Sequence, residues 1–77
     1  MQVGFVLASD DLAKVLCLTG DRENVRLVPV QSTMDLNRSI CLSDLTEMKN
    51  VYQRLKDSGL VGDLEIVNVA RLYKRFY

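Results

Sequence analysis

Ser43-Asp44-Leu45-Thr46-Glu47-Met48-Lys49-Asn50-Val51-Tyr52-Gln53-Arg54-Leu55-Lys56-Asp57-Ser58-Gly59 carries both ends and the middle of a helix, and its reading decides how the rest of the chain folds. Ser43 or Asp44 serves as the cap, and Asp44-Leu45-Thr46-Glu47 has the form of a capping box. Leu45, Met48, Val51, Tyr52 and Leu55 fall on one stripe at helical spacing, with Lys49, Asn50, Gln53, Arg54, Lys56 and Asp57 opposite. Ser58 and Gly59 form the stop, with Leu60 expected to meet Leu55 across it. A helix with one apolar stripe must cover something, and the flanking sequence supplies strands for it to cover.

Upstream, residues 2–8 alternate Val3, Phe5 and Leu7 with Gly4, Val6 and Ala8, the period of a strand. Ser9-Asp10-Asp11 reads as a turn, residues 13–18 as a second strand, 19–24 as a polar connection and 25–30 as a third strand. Pro29 has no N–H to give, so the third strand is expected at an edge or to end there. Residues 31–35 read as irregular, and Ile40, Cys41 and Leu42 suggest a short fourth strand over 36–42. Downstream, residues 63–77 fit two periods: Ile66, Val69, Ala70 and Tyr73 suit a helix, while the branched run at Ile66-Val67 favours a strand. The strand is the reading adopted, because a closing strand uses the helix as its crossover. The expected fold is α+β: a small four- to five-stranded mainly antiparallel sheet with one α-helix packed on one face, ordered β-β-β-(β)-α-β. Residues 1–77 form a single domain.

The opening strand Gly4-Phe5-Val6-Leu7-Ala8, the segment 38–42 running into Ser43, and Leu64-Glu65-Ile66-Val67-Asn68-Val69 after the helix resemble, as a layout over the whole chain, small uncharacterised phage-encoded α+β proteins. That resemblance implies a small accessory protein that engages a host protein or nucleic acid. It carries over no site residues.

Length and composition narrow the function. Seventy-seven residues leave few apolar side chains to spare from the core for a deep substrate cavity. There is no histidine, so Ser-His-Asp and Cys-His arrangements and His-containing metal sites are closed off. Cys17 and Cys41 lie in apolar contexts without zinc-site spacing and read as buried, reduced thiols. Asp10 with Asp11, and Asp21 with Glu23, are the close acidic pairs in loops; their favoured role is to cap backbone N–H groups. Gly4, Gly20, Gly59 and Gly62 form no phosphate-binding loop. No enzyme, cofactor or metal is therefore expected. No apolar run reaches the roughly 18 residues of a membrane span, and the start lacks a signal-peptide pattern, so a cytoplasmic protein without membrane contact is expected.

Ten Lys and Arg balance ten Asp and Glu. The balance is uneven along the chain, with five acids against three bases over residues 1–37 and seven bases against five acids over 38–77. Arg71-Leu72-Tyr73-Lys74-Arg75-Phe76-Tyr77 holds the densest mixture of bases and aromatics. As a strand it would place Arg71, Tyr73, Arg75 and Tyr77 on one face. The expected partner-binding residues are Arg71, Tyr73, Arg75, Phe76 and Tyr77, aromatic anchors flanked by charges. On this reading removal of residues 71–77 would abolish binding and leave cooperative unfolding intact. The expected function is that of a non-catalytic protein-interaction module, with a protein partner, a second copy of itself, or both. Open sheet edges near Pro29 or the last strand offer the dimer contact. Two alternatives remain: a nucleic-acid binder using Arg71, Lys74 and Arg75, with Arg54 and Lys56 widening the patch, and an oligomer sequestering a small molecule between subunits. Zero net charge ranks protein above nucleic acid.

Overall fold

The computed structural model describes residues 1–18, 25–59 and 62–77. Strands β1 (Phe5–Ser9), β2 (Lys14–Leu18), β3 (Val25–Pro29) and β4 (Leu64–Asn68) form one antiparallel sheet in the order β3-β2-β1-β4. Among the described residues three helices accompany it: α1 (Thr33–Asn37), α2 (Leu45–Asp57) and α3 (Ala70–Tyr73), the last continuing into a 3-10 turn over Lys74–Phe76. The α+β class and the antiparallel sheet under a long helix are as the sequence predicts. The connection 19–24, the pair Asp21 and Glu23, and the Leu60–Leu55 contact lie outside the described residues.

Alternation in β1 sends Val6 and Ala8 to one face and Leu7 to the other, and all three are fully buried because helices cover both faces. On the first face Val6, Ala8, Val15, Cys17 and Val67 pack with Leu36 of α1 and with Leu72 and Tyr73 at α3. On the second, Leu7, Leu16 and Leu64 pack with Met48 of α2, joined by Tyr52 and Leu55. The single stripe of α2 accounts for one layer, and two short helices supply the other.

Asp44 is the cap of α2, its carboxylate accepting from the Thr46 N–H at 2.8 Å. Ser58 closes the helix, and Gly59, at φ +77°, donates its N–H to the Lys56 carbonyl at 3.0 Å. In the turn between β1 and β2 the Asp11 carboxylate accepts from Ser9 Oγ at 2.6 Å and from the Ala13 N–H at 3.0 Å, which is the capping role expected of it. The Ser9 hydroxyl first, and the Ala13 N–H second, hold the Asp11 carboxyl below its usual range. A depressed folded-state value stabilises the turn above the ordinary carboxylate range, and this is lost as the pH falls and the group protonates. The difference in thermal midpoint between the wild type and Asp11→Asn should therefore be largest near neutral pH and shrink toward pH 3. A difference that is constant across that range would contradict this.

Two segments depart from the expected layout. Residues 36–42 do not form a fourth strand. The Asp35 carboxylate accepts from the Gln31 and Ser32 N–H groups at 2.9 and 3.0 Å and starts α1 within the stretch expected to be irregular. Beyond α1, Ser39 bridges to Cys17 on β2 and Leu42 to Phe5 on β1. Phe5 donates to the Leu42 carbonyl at 2.7 Å and Leu42 to that of Phe5 at 3.0 Å, while the Ile40 N–H reaches the Leu16 carbonyl at 3.0 Å. Leu36 belongs to the first core face, and Ile40 and Leu42 to the second. The chain thus passes through the sheet between the ends of β1 and β2 remote from their turn. It finds backbone partners on both sides while crossing, and builds a ladder with neither.

The closing strand ends at Asn68, whose side-chain oxygen accepts from the Ala70 N–H at 3.0 Å, and residues 70–76 are helical where a strand was expected. Packing explains the change. A strand sends neighbours to opposite faces, whereas a helix brings positions 69, 72 and 73 to one side. Val69, Leu72 and Tyr73 are all buried in one cluster.

Candidate interaction surface

The helical turn separates the five expected contact residues. Tyr73 is only 3% exposed. Its ring belongs to the core, and its hydroxyl accepts from the Gln2 N–H at 3.0 Å and donates to Asn37 Oδ1. Gln2 Nε2 also donates to the Asn37 carbonyl at 2.8 Å, so Tyr73 ties the first residues and α1 to α3. Tyr73 is thus largely internal and meets the surface only where it lines a groove. Arg75 donates from Nη1 to the Leu12 carbonyl at 2.7 Å. Leu12 sits in the left-handed region at φ +60°, and Arg75 fixes the turn to this otherwise strained point. The strand-like face of Arg71, Tyr73, Arg75 and Tyr77 does not exist.

Tyr77 is 84% exposed and Phe76 36%, with Arg71 and Lys74 also at the surface. Met1, Ala70, Tyr73, Lys74 and Tyr77 line an open, mainly apolar groove of about 480 Å³. Met1 escapes a reading of the sequence because it is remote in the chain. It reaches the groove through the pairing of β1 with β4, continued by the Val69 N–H to the Gly4 carbonyl at 2.9 Å. The floor is rigid, since Tyr73 is held by its ring and its hydroxyl, and the rim carries one ammonium group.

Burial pushes both thiols up, that of Cys17 further through the neighbouring Asp35 carboxylate, which works against a thiolate nucleophile. Among the described residues no group of three or more Cys, Asp or Glu side chains is placed to hold a metal ion. No described helix is long and apolar enough to cross a membrane. No protein-family model, curated protein or solved structure matches the chain.

Proposed function

We propose that this is a non-catalytic protein-interaction module, a homodimer acting in the cytoplasm as one of the small accessory or inhibitor proteins that phages encode, and that it binds a host protein through the surface around its C-terminal turn. The observation that carries this reading is an aromatic side chain, Tyr77, almost wholly in solvent beside an apolar groove with a rigid floor. Tyrosine and arginine are over-represented among residues that dominate binding, and a preformed groove spares a partner the cost of ordering it. Lys74 at the rim sets orientation and partner choice.

A second reading, nucleic-acid binding, draws support from the helical form of the segment. Arg71, Lys74 and Arg75 stand three and four positions apart and so share a side of the turn, next to rings that stack on unpaired bases. The neutral chain argues against it.

The test uses the full chain. Met1 and Tyr77 both line the groove, so the protein is immobilised through an engineered Lys49→Cys on the exposed side of α2. Native lysate is passed over the wild-type surface and over Phe76→Ser/Tyr77→Ser, before and after nuclease. A discrete protein that survives nuclease and binds the double variant at least roughly 10-fold more weakly supports the interaction surface. Equal retention by both would place the contact elsewhere. Recovery of nuclease-sensitive material alone, with a salt dependence that flattens when Arg71, Lys74 and Arg75 become Gln, would support the nucleic-acid reading.

A further inference from the structure

The ladder fixes the direction of every backbone group in β3. The Val30 N–H donates to the Ala13 carbonyl at 2.8 Å, in register with Lys14 opposite Pro29 and Val15 opposite Val28. Bonded and non-bonded pairs alternate along an antiparallel ladder, so Arg26 and Val28 turn their N–H and C=O toward β2, while Val25, Leu27 and Pro29 turn theirs away from the sheet. Pro29 is tolerated because its missing N–H belongs to the outward set. Among the described residues no strand lies beyond β3.

The side chains at this edge are apolar on one face. Leu27 lies opposite Leu16 and Val25 opposite Leu18, on the face that carries α2. But α2 lies across β1 and β4, and Leu18 and Leu27 stay 48% and 39% exposed. The other edge, β4, is flanked by α2 and by α3. Among the described residues β3 is the less buried of the two edges, exposed at Arg26, Leu27 and Pro29 where β4 buries Leu64 and Val67.

We propose that β3 pairs antiparallel with β3 of a second copy about a two-fold axis at Leu27, merging the two sheets into one. The choice of axis follows from the outward groups and from charge. An axis at Arg26 would set two guanidinium groups side by side. An axis at Val28 would leave, within β3, only Leu27 N–H groups donating to Pro29 carbonyls. An axis at Leu27 lets that residue exchange both of its backbone bonds with its counterpart and lets each Val25 N–H reach the Pro29 carbonyl of the other copy. Arg26 then lies beside Val28, and Leu27 packs on Leu27 with Leu18 at its flank. The contact is isologous, each surface being its own complement, and the chains carry no net charge to repel each other. It rests on the homodimer of the proposed function and uses no residue of the C-terminal groove.

Sedimentation equilibrium on the full chain is expected to give a dimer. Leu27→Glu and Leu27→Lys, each placing like charges on the axis, should each weaken it by at least about 100-fold, and an equimolar mixture of the two should restore a dimer. Leu27→Cys should be joined to its counterpart by a short bis-maleimide that leaves the wild type uncoupled, because hydrogen-bonded antiparallel partners stand about 5.5 Å apart at Cα. This variant decides the matter even where the charged ones fail to fold. A wild-type monomer would overturn both this interface and the homodimer. A dimer insensitive to charge at Leu27, with no cross-link from Leu27→Cys, would overturn this edge and leave the homodimer to another surface.

Discussion

Replacing Gly4 with alanine is expected to unfold most of the protein. Gly4 adopts φ +132°, outside what an L side chain accepts readily, and an added Cβ would overlap the Leu42 carbonyl oxygen and lie 2.8 Å from its carbon. That carbonyl cannot withdraw freely, because it accepts the Phe5 N–H where the chain threads between β1 and β2. Backbone strain of about 1–3 kcal/mol adds to the loss of the paired Phe5 and Leu42 bonds, each worth roughly 1 kcal/mol, and to the steric cost of moving the crossing segment. Against the ~4–12 kcal/mol typical of a domain this size, little stability would be left. Gly62→Ala is the control, since a Cβ there meets nothing within 4 Å, and it should change stability by less than about 0.5 kcal/mol. Urea unfolding followed by circular dichroism measures both. A Gly4→Ala protein as stable as the control would mean that the crossing segment is not packed against β1.

Removing residues 71–77 is expected to abolish cooperative unfolding altogether. The sequence reading, with those residues as a surface strand, predicts the opposite. The deletion takes Leu72, fully buried, and Tyr73 out of the cluster that covers one face of the sheet. Truncating one buried leucine to alanine costs about 2–5 kcal/mol and one buried aromatic about 3–5 kcal/mol, so losing both, with the rest of α3, removes most or all of the stability a domain of this size has. Removing only residues 76 and 77 should shift the urea midpoint by the equivalent of less than roughly 1 kcal/mol, since neither is buried. The pair of truncations separates the supporting half of the segment from the exposed half. A cooperative transition in the longer truncation would show that α3 is an accessory to the fold.

Local signals account for what the sequence makes legible. The cap at Asp44, the stripe through Met48 and Leu55 and the stop at Ser58 and Gly59 lie within α2 itself, and Pro29 marks β3 as an edge without help from distant residues. Short elements escape because few residues speak for them. Helix α1 opens with aspartate at the position where a capping box normally has Glu or Gln, and Ile40, Cys41 and Leu42 alternate between the two core faces like a strand yet make only isolated bridges to β1 and β2. Residues 70–76 switch to a helix because Leu72 and Tyr73 are neighbours that must enter the same core, a demand set by the sheet they cover. The site follows the same rule. Its aromatics and cations stand out in the composition, yet which of them face solvent depends on that switch, and Met1 joins them only through the β1–β4 pairing.

The proposed contact with a protein partner is the exposed side of the C-terminal turn. Amide hydrogen exchange of the full chain, free and bound to the nuclease-resistant partner recovered from lysate, tests it most directly. Added protection is expected at residues 70–77 and 1–3, with α2 unchanged. Protection centred on α2, or none at either chain end, would contradict it.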